Sequence, residues 1–338
     1  MKRTVTMAML AKELGLSESA VSKALNDYPD IGPETKKLVR EKAEKIGYTP
    51  NILARNLAKK TSNFVGVVIR DLASIYGEMF KSLSAAAAQY GLNLILYDTG
   101  NDRTTERECI RNLINTMAMG IVVVPVSEDI ERIRRMTRGR VPVVYLGSKV
   151  RDDSVNYVSA DGTAGTELAM QHLISQGHRK IVMLCDHKFS SSRSHKMEAY
   201  RTAMQAIGEE ERILSSDDTQ GDLLLGGREL VKKLLASGER FTALYAVKDM
   251  LAIGAAGALE EAGIDVPGNV SVVGYDGIDA TALPQISLTC VSQPRAEMAE
   301  KVIDILRRHA EDPALPPEHY LAMPELIVRG STAAAPMD

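Results

Sequence analysis

From residue 64 onward the chain repeats one alternation, a short apolar run followed by an amphipathic helical stretch, and that alternation limits the fold more than any other feature. The first set of runs is FVGVVI (64–69), LNLILY (92–97), GIVVVP (120–125), VPVVYLG (141–147) and NYVSA (156–160), with helical spacing over Gly77–Tyr90 and Thr104–Met117. A second set follows: helix Thr163–Gln176, strand IVMLC (181–185), helices His195–Ile207 and Leu223–Ala236, strand TALYA (242–246), helix Met250–Ala262 and strand VSVVGY (270–275). Runs that are apolar throughout, without alternation, fit parallel strands covered on both faces by helices. Two such sets predict two doubly wound α/β domains side by side. Ligands of such sheets bind outside the carboxyl ends of the strands, so two facing sheets make a cleft.

The first sixty residues follow a different rule. Met7, Leu10, Ala11 and Leu14 share one helical face; Gly15-Leu16-Ser17 breaks the pattern, with Gly15 suited to a positive φ and Ser17 to an N-cap. Over Glu18–Leu25 the inward residues are Val21, Ala24 and Leu25, with Ala20 small enough for close approach. Glu18, Ser19, Ser22, Lys23 and Asn26 face outward. Pro33 opens a third helix with Leu38, Val39, Ala43 and Ile46 inward, ended by Gly47. Two short helices about a three-residue turn, the second with a polar, short-chained outer face, predict a helix-turn-helix. Such a helix can enter the DNA major groove, while hydroxyls such as Thr6 and Ser22 and the lysines fix register on phosphates. Plain three-helix packing gives the same pattern. The next segment, Tyr48 to Lys59, has Pro50, helix formers and a basic end but no core of its own, so it is expected to fold on a partner.

Charge separates the same two regions. Residues 1–60 hold 12 Lys and Arg against 7 Asp and Glu, a balance of +5; the rest holds 29 against 37, a balance of −8. A cationic head on an anionic body favours docking one end on a polyanion, although a solvated charged face would look alike. No run approaches the 18 apolar residues of a membrane span, and MKRTVTMAML lacks the apolar core of a signal peptide. Cys109, Cys185 and Cys290 are scattered in apolar sequence, which reads as buried free thiols rather than a metal site. The expectation is a cytoplasmic protein with no membrane partner, no metal and no cofactor.

The stretches VTMAMLAKELGLSESAVSKALN and IGPETKKLVREKAEKIGYTPNILARNLAKK resemble the headpiece and hinge of the lactose-repressor/galactose-repressor (LacI/GalR) family, densely over residues 4–60. The resemblance implies that residues 18–25 are the recognition helix, with Glu18, Ser19 and Lys23 choosing bases. It also implies that residues 51–59 form a hinge helix in the minor groove of a dimer, with Leu57 as the wedge at the central base step. With Thr6, Ser17, Ser22 and Asn26 in the headpiece and Asn51, Ala54 and Ala58 in the hinge, these make the expected DNA-binding set. Chemically, Glu18 could accept from a cytosine amino group and Lys23 could donate to guanine. Glu18 equally suits the positive end of its helix, and Leu57 could simply pack on the headpiece.

More loosely, Asp161-Gly162, HLISQGHRKIVML, EEAGIDVPGNVSVVGYDG and LTCVSQPRAEMAEKVIDIL resemble the family's effector-binding body, itself similar to periplasmic sugar-binding proteins. The resemblance implies chain crossings near 161, 291 and 323. The expected organisation is a headpiece (1–49), a hinge helix and linker (50–62), an N-terminal effector subdomain (63–160 plus 292–322), a C-terminal one (161–291 plus 323–330) and a tail (331–338). The fold class is thus α/β: an all-α helix-turn-helix headpiece plus two doubly wound, periplasmic-binding-protein-like subdomains. After Gly330 the family's tetramerising tail looks absent.

Strand ends then nominate the ligand residues: Asp71, Ser74 and Tyr76 after the first strand, Tyr157 before the crossover, Asp276 after VVGY, and Gln293 at the second crossover, with Arg295 near it. Paired carboxylates and amides suit vicinal sugar hydroxyls, and an aromatic face suits a sugar ring. Asp276 could instead be a turn-forming residue. Two departures from the family stand out. Lys196, four residues before Tyr200, replaces a usual arginine, and Lys248 replaces a usual asparagine; a point charge does not substitute for a guanidinium fork. With Arg70 and Arg295 nearby, the effector could be a sugar acid or sugar phosphate, unless these lysines face solvent or pair with Asp249 and Asp276.

No GxSxG, HExxH, P-loop or CxxC motif occurs, GTAGTE (162–167) lacks nucleotide-loop spacing, and the six histidines form no ligand pattern, so catalysis is not expected. A solute-binding transport protein would share the body but not the headpiece. The expected function is a ligand-responsive regulator, a repressor of carbohydrate-related genes, acting as a homodimer on double-stranded operator DNA with a sugar-type or nucleobase-type effector.

Overall fold

The computed structural model describes residues 5–48, 62–72, 75–127, 129–137, 139–147, 153–186, 191–216 and 222–337. The chain divides into two units, residues 1–62 and 63–338.

The first unit holds helices α1 (Met7–Leu14), α2 (Glu18–Leu25) and α3 (Pro33–Ile46). Thr6 Oγ1 caps α1 by accepting from Met9 N at 3.3 Å, and Gly15 ends it at a φ of +64°. Ser17 Oγ then caps α2 by accepting from Ala20 N at 3.1 Å, so the turn between the helices is the three residues that the spacing predicts. The core is Leu10, Ala11, Val21, Ala24, Val39, Ala43 and the unanticipated Tyr48. Leu38, expected inward, is 53% exposed. Val39, Ala43 and Ile46 already form the buried stripe of α3, and Leu38 lies roughly 100° around the helix from Val39.

The second unit has the expected α/β fold, built on two six-stranded sheets. One holds β1 (Phe64–Ile69), β2 (Asn93–Asp98), β3 (Gly120–Val123), β4 (Val143–Leu146), β5 (Asn156–Ala160) and β11 (His319–Ala322), in the order β11-β5-β4-β3-β1-β2, all parallel. The other holds β6 (Ile181–Cys185), β7 (Ile213–Ser215), β8 (Ala243–Ala246), β9 (Ser271–Asp276), β10 (Thr289–Ser292) and β12 (Glu325–Ile327), in the order β12-β10-β9-β8-β6-β7. Among the described residues only the β10–β12 pair is antiparallel. Both sheets therefore reverse direction beside their first strand, at β1/β3 and β6/β8, where an open sheet leaves a crevice for ligand. The chain crosses between the sheets after β5, after β10 and after β11.

On the first sheet, α4 (Ile75–Ala88) and α11 (Arg295–Glu311) cover one face, with Leu83, Val302 and Ile305 against Val65, Val67 and Val144. The other face packs α5 (Arg103–Asn115) and α6 (Ile130–Thr137) through Ile110, Leu113 and Ile133. The second sheet packs α7 (Gly162–Ser175), α8 (Ser191–Ala206), α9 (Leu223–Ala236) and α10 (Asp249–Glu261) around Tyr200, Leu230, Tyr245 and Leu251. Helices α9 and α10 cross at reciprocal glycines: a Cβ on Gly227 would strike Leu251 O, and one on Gly254 would strike Leu224 O. Helix α8 begins four residues before its expected start, and the short β7 and α6 carried too few residues for a clear period. Ser331 Oγ donates to Val272 O at 2.6 Å and Ala335 N to Gln176 O at 2.8 Å, which ties residues 331–335 to this lobe. All three cysteines are buried and free of disulfides. Among the described residues no helix is long and apolar enough to cross a membrane.

Candidate functional site

Two surfaces carry chemistry, one on each unit. On the headpiece, Glu18 and Ser19 are exposed at the start of α2, where a recognition helix presents its readers. Lys23 is half-buried on the same helix, and its ammonium pairs with Asp30, which raises the lysine pKa and lowers that of the aspartate. Ser22 and Asn26 are joined by a 2.7 Å bond from Asn26 Nδ2 to Ser22 O, while Thr6 and Ser17 spend their hydroxyls on caps. The hinge residues Asn51, Ala54, Leu57 and Ala58 lie outside the described residues, as does Ser74.

On the body, the carboxyl ends of the two sheets face each other across a cleft of about 750 Å³, counting space open to solvent. The first lobe contributes Arg70, which follows β1, with Ile75, Tyr76, Met79, Leu146, Gly147 and Met298. Arg70 Nη2 donates to Tyr76 Oη at 3.0 Å, and this contact to the phenol holds the guanidinium pKa up despite burial. The second lobe contributes Asp186 after β6, Arg193 and Lys196 from α8, Lys248 after β8, and Tyr275 and Asp276 at the end of β9.

Each charged group is held by its strand end or helix. Asp276 is 5% exposed, and Gln293 Nε2 donates to its Oδ1 at 2.8 Å. Its φ of +130° costs a non-glycine residue about 1–3 kcal/mol, strain of the kind that persists at functional positions. Burial raises the Asp276 pKa, while Lys248 and Lys196 pull against that rise. Lys196 is 6% exposed; its Nζ donates to Val247 O at 3.1 Å and sits 3.1 Å above the centre of the Tyr275 ring. Burial brings its pKa down to about 8, with the Asp276 charge acting in the opposite sense. The ring supports a desolvated cation by about 2 kcal/mol. Lys248 is half-buried at the N-cap of α10; burial pulls its pKa down, but Asp186 and Asp276 more than offset this and leave it raised.

Behind this wall Asp249 is 1% exposed, and burial together with the Asp276 charge pushes its pKa up to about 8. Its Oδ2 accepts from Ile278 N at 2.8 Å, while Oδ1 presses on Gly274 so closely that no Cβ would fit there.

Of the eight ligand residues the sequence nominates, Tyr76, Lys196, Lys248, Asp276 and Gln293 line the cleft together. Asp71 is half-buried beside Arg70 and outside the lining. Tyr157 is a correction: it is buried in the core against α5 and α6 and stacks on His319 with ring centres 4.6 Å apart. It is the second residue of β5, at the amino end, and only the carboxyl end, Ser159 and Ala160, reaches the cleft. Arg295 is another correction. Its guanidinium bonds Gly277 O at 2.5 Å and pairs with Glu78 at 3.1 Å and Asp279 at 3.3 Å, so it ties the lobes together at the rim. Glu78 Oε1 also accepts from Asp279 N at 2.8 Å. Asp186 and Arg193 were not anticipated; the position of Asp186 directly after IVMLC was the available signal.

A helix-turn-helix headpiece and a two-sheet body with a polar cleft define a class, the transcriptional regulators with a periplasmic-binding-protein-like body. Residues 170–332 match the model of the periplasmic binding protein-like domain. The regulator AscG of Escherichia coli is 30% identical over 305 residues, covering 88% of this chain and 90% of that one. Catabolite control protein A of Priestia megaterium is 28% identical over 90% of this chain and 92% of its own. Among solved structures, the lac repressor dimer bound to operator and the anti-inducer ONPF superposes with a TM-score of 0.86 at 22% identity, covering 98% of this chain and 100% of that one. A complex of the regulator CelR with cellobiose gives 0.71 at 24%, covering 97% and 99%. The chain belongs to the LacI/GalR family of helix-turn-helix transcriptional regulators, and is a DNA-binding regulator, not an enzyme.

Proposed function

We propose that this regulator represses carbohydrate-related genes by binding a near-palindromic operator as a homodimer, and that a small polyhydroxylated effector in the interlobe cleft controls that binding. The observation that carries the reading is the Asp276–Gln293 pair, with Asp276 buried and strained, in a cleft that both lobes line. A carboxylate and an amide side by side can accept from and donate to adjacent hydroxyls, and Tyr76 offers an aromatic surface opposite. A structural neighbour, the regulator CelR, was solved in complex with cellobiose, which supports a carbohydrate as the effector class.

One helix-turn-helix reads few base pairs, so a tight site needs two copies. In this reading Glu18, Ser19 and Lys23 read bases, Lys23 exchanging Asp30 for the groove; Thr6, Ser17, Ser22 and Asn26 set register; and Asn51, Ala54, Leu57 and Ala58 act in the minor groove. The working division is 1–49, 50–62, 63–160 with 292–322, and 161–291 with 323–330. Effector binding that favours one arrangement of the lobes shifts the spacing of the paired headpieces, and DNA affinity changes by the same coupling energy. Selection of bound sequences from random DNA tests this. A two-fold symmetric site is expected, and Lys23→Ala should relax one base position by about 1–3 kcal/mol. Recovery of unpaired half-sites would refute the dimeric arrangement.

A further inference from the structure

The cleft holds more positive charge than its own carboxylates use. Arg70, Arg193, Lys196 and Lys248 all line it, against Asp186 and Asp276. Among the described residues three of those cations make no ion pair. Arg70 bonds the neutral Tyr76 hydroxyl, Lys196 bonds a backbone carbonyl and a ring face, and the Lys248 side chain has no hydrogen-bond or ion-pair partner among the described residues. Asp276, meanwhile, is engaged by the neutral amide of Gln293. Asp186 and Asp276 act on Lys248 through space and offset its burial, but no carboxylate oxygen meets the Lys248 or Arg70 charge in a direct ion pair among the described residues. The arrangement also spans the crevice: Arg70 follows β1 on one sheet and Lys248 follows β8 on the other, each beside the point where its sheet reverses. They lie near enough for the arginine charge to lower the lysine pKa.

We infer that the effector carries an anionic group, a carboxylate or phosphate on a polyhydroxylated frame, held between Arg70 on one lobe and Lys248 and Arg193 on the other. This rests on the cleft being the effector site, and it deepens that reading by assigning the effector's charge. Hydroxyls meet Asp276 and Gln293, and the anion supplies the direct ion pair that Arg70 and Lys248 lack within the cleft. Because its partners sit on opposite lobes, the anion draws the lobes together, whereas a neutral sugar leaves Arg70 and Lys248 to repel each other across the gap.

The test uses the full chain and matched ligands: glucose, gluconate, glucuronate and glucose 6-phosphate, with ribose, ribonate and ribose 5-phosphate, screened by thermal shift and measured by calorimetry at low salt. The tightest binder is expected to be anionic and to exceed its neutral parent by about tenfold or more, about 1.4 kcal/mol or above. Carboxylate against phosphate members identify which anion is held. Lys248→Met should collapse that margin and Lys248→Arg should keep it, with the melting temperature of each ligand-free variant checking that it folds. A neutral parent as the tightest binder, or a margin that survives Lys248→Met in a folded protein, overturns the inference and leaves the sugar site standing. Failure of every member, neutral and charged, overturns the sugar reading as well.

Discussion

The two walls of the cleft are built on the same strand order, yet they differ in kind. The wall on the first lobe is largely apolar, with Ile75, Met79, Leu146 and Met298 around the single Arg70–Tyr76 pair. The wall on the second lobe carries Asp186, Arg193, Lys196, Lys248 and Asp276, with Asp249 buried behind them. Buried charge is tolerable only where rigid elements fix its partners: a carbonyl and a ring face do so for Lys196, and the Gln293 amide at the crossover does so for Asp276. The teaching is a division of labour: the charged wall recognises, and the apolar wall covers.

The largest expected effect probes that division directly. Asp276→Ala should weaken effector binding about 100-fold by calorimetry, since it removes a buried charged acceptor. A loss no greater than that of a first-lobe substitution would show that recognition is shared equally.

The next effect concerns stability. The Asp249 carboxyl, raised to about 8 in the folded state by burial, contributes stability below the ordinary carboxylate range, and that contribution is lost as pH rises through about 8. Asp249→Asn keeps an acceptor for Ile278 N but cannot ionise. The variant should gain about 1–3 kcal/mol over the parent at pH 8 and lose that advantage near pH 4. Denaturant melts across this range check the sign; a difference independent of pH would mean that the charge of Asp249 does not burden the wall.

The smallest effect belongs to the apolar side. Tyr76→Phe removes only the hydroxyl that receives Arg70, so affinity should fall about threefold, under 1 kcal/mol, with folding unaffected. A loss as large as that of Asp276→Ala would erase the distinction between the walls.

Much of this was legible beforehand because it is local. Gly15 and Ser17 set a turn through φ and a cap, which neighbours in sequence decide. The runs 64–69, 156–160 and 181–185 are strands residue for residue, because continuous apolar sequence has few ways to hide its backbone. Asp276 could be placed because it closes a strand, and strand ends in an open sheet face the ligand, whereas Lys248 was placed by the family resemblance, where it stands for a usual asparagine. Tyr157 misled because an aromatic near a crossover looks like a sugar platform, whereas its distance from the carboxyl end of β5 put it in the core. Arg295 misled in the same manner, since nothing in its neighbourhood announces Glu78, which is more than two hundred residues away.

By itself, then, the sequence determined the helix-turn-helix, the two α/β sets, the charge separation between head and body and the family, all carried by short-range periodicity and caps. Only the tertiary structure decided that Lys196 lies over Tyr275, that Asp249 presses on Gly274 and that Asp186 and Arg193 join the cleft. The physical reason is that desolvation and Coulomb interactions depend on distance through space. Residues remote in sequence acquire their protonation and their partners only when the sheets bring their strand ends together.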